Sequence, residues 1–112
     1  MPHLIIEYAA PLAEDINIQD LVEAVFTGAV QSGLFNTKAI KARAHACDNY
    51  WVGGTKQAFV HVEIKLLPGR NNDQKKDLTQ RVFDQVSAHV KDDVAISVEL
   101  NDLDANCYTK HS

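Results

Sequence analysis

Ten residues, Ala58 to Leu67 (AFVHVEIKLL), alternate between apolar and polar side chains and stop at Pro68-Gly69. A two-residue period over that length is the mark of a strand with one buried face. Proline and glycine side by side then break it. A strand of this kind must find partners, and the chain offers three more. His3 to Ala9 (HLIIEYA) is rich in β-branched and aromatic residues. Lys41 to Cys47 (KARAHAC) alternates, with Lys41, Arg43 and His45 on one face and alanines on the other. Val94 to Leu100 (VAISVEL) reads as the last strand.

Two helical segments separate these strands. After a connection around Pro11 to Asp15, Asn17 is a good helix cap, with acidic Asp20 three residues on. Ile18, Leu21, Val22, Val25, Phe26, Ala29 and Val30 then recur at helical spacing, and Gly33 suits a left-handed C-terminal stop. In the second helix Asn71 or Asn72 caps, and Leu78, Val82, Val86 and Val90 form the buried stripe, with Phe83 and Ala88 close beside it. Tyr50 to Lys56 (YWVGGTK) is a loop, with Gly53-Gly54 supplying unusual backbone angles. The tail after Asn101 is polar, with at most a short turn or edge strand.

The order is therefore strand, helix, strand, repeated once, with halves at about residues 1–55 and 56–112 of a single domain. Right-handed crossovers make each half a β-α-β unit. The expected fold is α/β (α+β): tandem β-α-β units forming one sheet covered by two helices on one face. The opposite face is expected to keep apolar positions uncovered, which points to an oligomer.

With 112 residues, 46% of them hydrophobic, the chain has material for one real core. A net charge of −4 argues against nucleic acid as the partner. The absence of an apolar run of about 18 residues argues against a membrane span. No basic segment precedes the first apolar run, so a cytoplasmic location is expected. Cys47 and Cys107 lack metal-site spacing and are expected to stay reduced. The five histidines show no metal-ligand pattern, and His45, His61 and His111 read as satisfied or surface side chains. No metal site and no cofactor are expected.

The groups capable of chemistry gather at strand ends. Pro2 follows the initiator Met1 and opens the first strand; removal of Met1 leaves it a free secondary amine. Lys41 and Arg43 share the polar face of the second strand, and Arg70 follows Pro68-Gly69 just before a helix cap. Two like halves can bring these ends together, within one subunit or between neighbours. A free α-amino group ionises near about 7.7–8.0, and burial together with nearby cations lowers that value. A neutral amine at pH 7 can move a proton next to a carbonyl, while cations hold carboxylates and the developing enolate.

Three blocks, MPHLIIEY, IKARAHACD and FVHVEIKLLPGR, resemble those of 5-carboxymethyl-2-hydroxymuconate Δ-isomerase. That enzyme belongs to the tautomerase superfamily, with 4-oxalocrotonate tautomerase and macrophage migration inhibitory factor. The resemblance runs to about Leu100. It implies a tautomerase/MIF-like homotrimer in which Pro2 is the catalytic base and Arg70, Lys41 and Arg43 bind substrate. The implied reaction shifts a double bond in an unsaturated 2-hydroxy or 2-oxo acid carrying two or three carboxylates, in the breakdown of homoprotocatechuate-like aromatics. Lys41 stands where the family pattern has arginine, keeping the charge but losing the two-pronged fork. The 50–56 loop and the tail are short for the family. Tautomerisation of other 2-oxo acids such as phenylpyruvate, and a non-catalytic trimer that binds carboxylates, are the alternatives on the same scaffold.

Overall fold

A computed structural model describes residues 1–111. Strand β1 spans His3–Ala9, β2 Lys41–Cys47, β3 Phe59–Leu66 and β4 Ala95–Asp102. Helix α1 spans Ile18–Gln31 and α2 Asn72–Ser87. The sheet order is β2-β1-β3-β4. β1 runs parallel to β2, β3 parallel to β4, and β1 antiparallel to β3. Two β-α-β units therefore join along the β1–β3 seam, as the tandem strand-helix-strand order predicts.

Local chemistry accounts for the boundaries. The Asn17 side chain accepts from Asp20 N at 3.1 Å. Asn71, rather than Asn72, caps α2 in a reciprocal box: it accepts from Gln74 N at 2.9 Å while Gln74 accepts from Asn71 N at 3.0 Å. Gly33 takes φ 71° just beyond α1, which a side chain would resist. The second helix stops at Ser87, so Val90 lies outside it, half-buried in the following turn. Val94 is buried one residue before β4 rather than inside it. The tail carries a short 3-10 turn at Ala105–Cys107.

Alternate residues of the inner strands face the helices. Leu4, Ile6, Val60, Val62 and Ile64 are completely buried, as are Leu21, Val25, Leu78 and Val82 from the helices, in one core. Each such side chain contributes about 1.5–3 kcal/mol through removal from water. The helices cross closely at Gly28, where a Cβ would meet Val82 Cα at 3.1 Å and the Arg81 carbonyl oxygen at 3.2 Å.

The expectation of an apolar opposite face is corrected. That face carries His3, Glu7, Lys41, Arg43, His45, His61, Glu63, Lys65, Ser97, Glu99 and Asn101, with Ile5 and Phe59 as its large apolar members. His61 Nδ1 lies 2.6 Å from Ser97 Oγ, and Nε2 lies 2.9 Å from Glu99 Oε1. These bonds satisfy His61 and, with Asn101, hold the Glu99 carboxyl below its ordinary range.

Glycine to alanine inside a helix ordinarily stabilises by up to about 1 kcal/mol. At Gly28 the sign should reverse, because the neighbours are backbone atoms of α2 that cannot rotate aside. Urea unfolding of Gly28→Ala should show a net loss of about 1–3 kcal/mol. Stability equal to the parent would mean that the two helices do not meet this tightly.

Candidate active site

Because β1 is an inner strand, the chain's first residues lie inside the sheet end. Pro2 is fully buried, and its carbonyl accepts from Lys41 N at 3.0 Å. A proline can open an inner strand because its missing N–H falls where the ladder begins. The Met1 amine donates to the Ala39 carbonyl at 2.7 Å. With Met1 attached, the Pro2 nitrogen is an amide; without it, the free amine moves one residue deeper.

The Met1 amine is held below its ordinary value of 8.0. Burial is the leading cause, followed by the positive charges of Lys41, Lys110 and Arg70. Both causes disfavour the ammonium form.

Arg70 belongs to the turn between β3 and α2, reached through Gly69 at φ 131°. Its Nη2 donates to the Leu34 carbonyl at 3.0 Å, and its guanidinium carbon stands 5.0 Å from the Phe35 ring centroid. Leu34 and Phe35 follow α1, so this contact ties one β-α-β unit to the other. The planar guanidinium keeps further N–H donors for a ligand. Among the described residues, neither Lys41, Arg70 nor Lys110 pairs with a carboxylate.

Arg43 sits differently. Its Nη1 lies 3.1 Å from His3 Nδ1, on the face of the sheet away from the helices, which Lys41 shares. An arginine can only donate, so Nδ1 is the acceptor and the proton is assigned to Nε2, which lies 3.1 Å from the Tyr108 hydroxyl. His3 titrates below its usual 6.5, through burial first and then the charges of Arg43, Lys41, the amino terminus and Lys65. The charges of Lys41 and Arg70 thus bear on the amine, whereas Arg43 bonds to His3.

The sequence singles out Pro2, Lys41, Arg43 and Arg70; it gives no sign of His3, Phe35, Tyr108 and Lys110, whose contacts or charges the structure adds. The tail residues have no periodicity to announce them. Beside Lys41, a groove of about 490 Å³ runs between α1 and the outer strand β2, lined also by Gln19, Val22, Glu23, Phe26, Ile40 and Ala42. The amine end of β1 joins an amine of weakened basicity to cations with no carboxylate partner among the described residues. Its chemistry suits a carboxylate-bearing organic anion.

An α+β fold of paired β-α-β units is the tautomerase/MIF-like fold. A fused 4-OT solved as a symmetric trimer superposes with a TM-score of 0.65 at 21% identity, covering 89% of this chain and 85% of that one. The chain belongs to the 5-carboxymethyl-2-hydroxymuconate isomerase family, whose model matches residues 2–112. The 5-carboxymethyl-2-hydroxymuconate Delta-isomerase of Escherichia coli is 25% identical over 91 residues, 80% of this chain and 72% of that protein. The crystal structure of a 5-carboxymethyl-2-hydroxymuconate isomerase from Deinococcus radiodurans R1 matches with a TM-score of 0.85 at 24% identity, covering 98% of this chain and 88% of that one. Membership supports an isomerase or tautomerase activity.

The His3 contacts carry a pH signature. Its folded-state value lies below the 6.5 of an unhindered imidazole, so the neutral ring is the stabilised form. That contribution is complete above the unfolded value and is lost as pH falls through the folded one. NMR titration of the His3 ring should give a midpoint below 6.5. In Arg43→Ala the midpoint should rise, since a repelling charge is gone. A midpoint unmoved by that change would break the Arg43–His3 pairing.

Proposed function

We propose that this protein is a cofactor-free isomerase that uses the Pro2 amine, freed by removal of Met1, as its general base. The observation that carries the reading is the fully buried Pro2 beside an amine that burial, Lys41 and Arg70 hold below its ordinary value. The same influences act on a prolyl nitrogen one residue further in. They keep a fraction neutral near pH 7, where a base is needed.

The proposed substrate is an unsaturated 2-hydroxy or 2-oxo acid with two or three carboxylates, of the 5-carboxymethyl-2-hydroxymuconate kind. Arg70 holds the carboxylate beside the reacting carbonyl, Lys41 a second one, and Arg43, two residues along the same face of β2, receives a further acidic group. The Pro2 lone pair takes a proton from the substrate's enol oxygen or from carbon next to the carbonyl. The electrons left behind spread over the conjugated dienolate, steadied by the cations. The new prolyl N–H then returns its proton to a different carbon of the chain. One proton leaves and one arrives, the double bond has moved, and no electrons are exchanged with another reagent.

The assembly we propose is a homotrimer. The symmetric trimer formed by the fused 4-OT supports this, as do the outer strands β2 and β4, each with one neighbour in the sheet. A cytoplasmic location is in keeping with the free thiols of Cys47 and Cys107. No described helix is long and apolar enough to cross a membrane.

Two measurements test the reading. Intact mass of the protein from its own cells should be short by one methionine; retention of Met1 there refutes the amine mechanism. Ketonisation of an enolised 2-oxo diacid, followed by ultraviolet absorbance, should then be slowed in kcat by on the order of 10²-fold in trimmed Pro2→Ala. Arg70→Ala and Lys41→Ala should mainly raise KM. For the parent, kcat/KM should climb as pH rises through the amine's ionisation, because the unprotonated form is the active one. An unchanged kcat in trimmed Pro2→Ala would leave a carboxylate-binding protein as the better description.

A further inference from the structure

The segment after β4 returns to the start of β1, where Tyr108 meets His3. Asp104 caps the 3-10 turn at Ala105–Cys107 by accepting from Asn106 N at 2.9 Å. Tyr108 follows with extended backbone, φ −116° and ψ 123°. Its hydroxyl lies 3.1 Å from His3 Nε2, and its ring meets the imidazole edge-on, centroids 6.1 Å apart at 73°. This anchor sits one residue from Pro2 in sequence. Lys110 comes two residues later, a span of at most about 7 Å in extended chain, so its flexible side chain has the amine end of β1 within reach. Lys110 is exposed, and its charge acts on the Met1 amine more strongly than that of Arg70.

The other cations are more committed. Arg70 is fixed to the Leu34 carbonyl and the Phe35 ring, and Arg43 to His3 Nδ1. Lys110 has neither constraint among the described contacts, and no carboxylate of the described residues neutralises it. A mobile ammonium at the rim suits the far end of a ligand whose near end is already gripped.

We infer that Lys110, carried to the site by the Tyr108–His3 anchor, is a specificity-determining residue that binds the remote carboxylate of a dianionic ligand. Tyr108 is its positioning residue. The inference rests on the reading of this site as one for carboxylate-bearing anions, and it assigns the C-terminal segment a part in choosing between one and two carboxylates.

Two six-carbon dienes that differ by one carboxylate test it: trans,trans-muconate, a dianion near neutral pH, and sorbate, the monoanion. Both are titrated calorimetrically into the full-length, methionine-trimmed oligomer. Lys110→Ala should weaken muconate about tenfold, the loss of one charge-assisted hydrogen bond, and leave sorbate within about twofold. Lys110→Arg should restore muconate binding, and Tyr108→Phe should lower the muconate-to-sorbate preference in the same direction as Lys110→Ala. The surface variant Lys91→Ala should change neither ligand. Equal weakening of both dienes in Lys110→Ala, or of muconate in Lys91→Ala to the same degree, would reduce the effect to general charge and overturn the inference. A full preference retained in Tyr108→Phe would overturn the positioning role. The readout is binding and does not need the Pro2 amine to act, so a failure of the isomerase reading at Pro2→Ala is told apart from a failure here.

Discussion

The constraint on which the rest depends is that the first strand is an inner one. β1 exchanges hydrogen bonds with β2 on one side and β3 on the other, starting at His3. A strand so placed has a neighbour on either side from its first residue on. Pro2 is drawn into the end of the sheet with its carbonyl already tied to Lys41. The same pairing joins the two β-α-β units, so the seam that makes one core of two halves also sets where the amino terminus ends up. A site built on that terminus inherits the rigidity of the sheet.

The charges complete the arrangement. The chain is acidic overall, with 15 carboxylates against 11 lysines and arginines. Yet the amine end of β1 gathers Lys41, Arg70 and Lys110 without a described counter-ion. Leaving cations unpaired in a partly buried place disfavours the folded chain slightly and favours a bound anion by comparison. The carboxylates that do form pairs lie elsewhere, as Asp77 with Arg81 along α2 and Asp102 with Lys75 between β4 and α2. Separation of this kind lets a protein of net negative charge attract organic acids to one spot.

Much of the fold was legible because its signals are local. The alternation of β3, the Asn17 cap and the Gly33 stop are each carried by residues close together in the chain. Where reasoning went astray, longer-range packing decided. Val90 continues the periodic stripe of α2, yet the helix has turned away by then to deliver the chain to β4. The face opposite the helices proved polar because cross-strand partners such as His61 with Ser97 and Glu99 satisfy one another there, a pairing that no single segment displays.

The amino-acid order alone determined which stretches are strand or helix, that the units come in two like halves, and that Pro2, Lys41, Arg43 and Arg70 are groups worth watching. Periodicity, capping and backbone-restricted residues act over one or two turns, so they survive in any reading of the chain. Only the tertiary structure decided that the charges of Lys41, Lys110 and Arg70 bear on the amine while Arg43 turns to His3, and that Tyr108 meets His3 at the same end. Those meetings join residues some 40 to more than 100 positions apart. They follow from strand order, register and the path of the tail, which depend on the packing of the whole core.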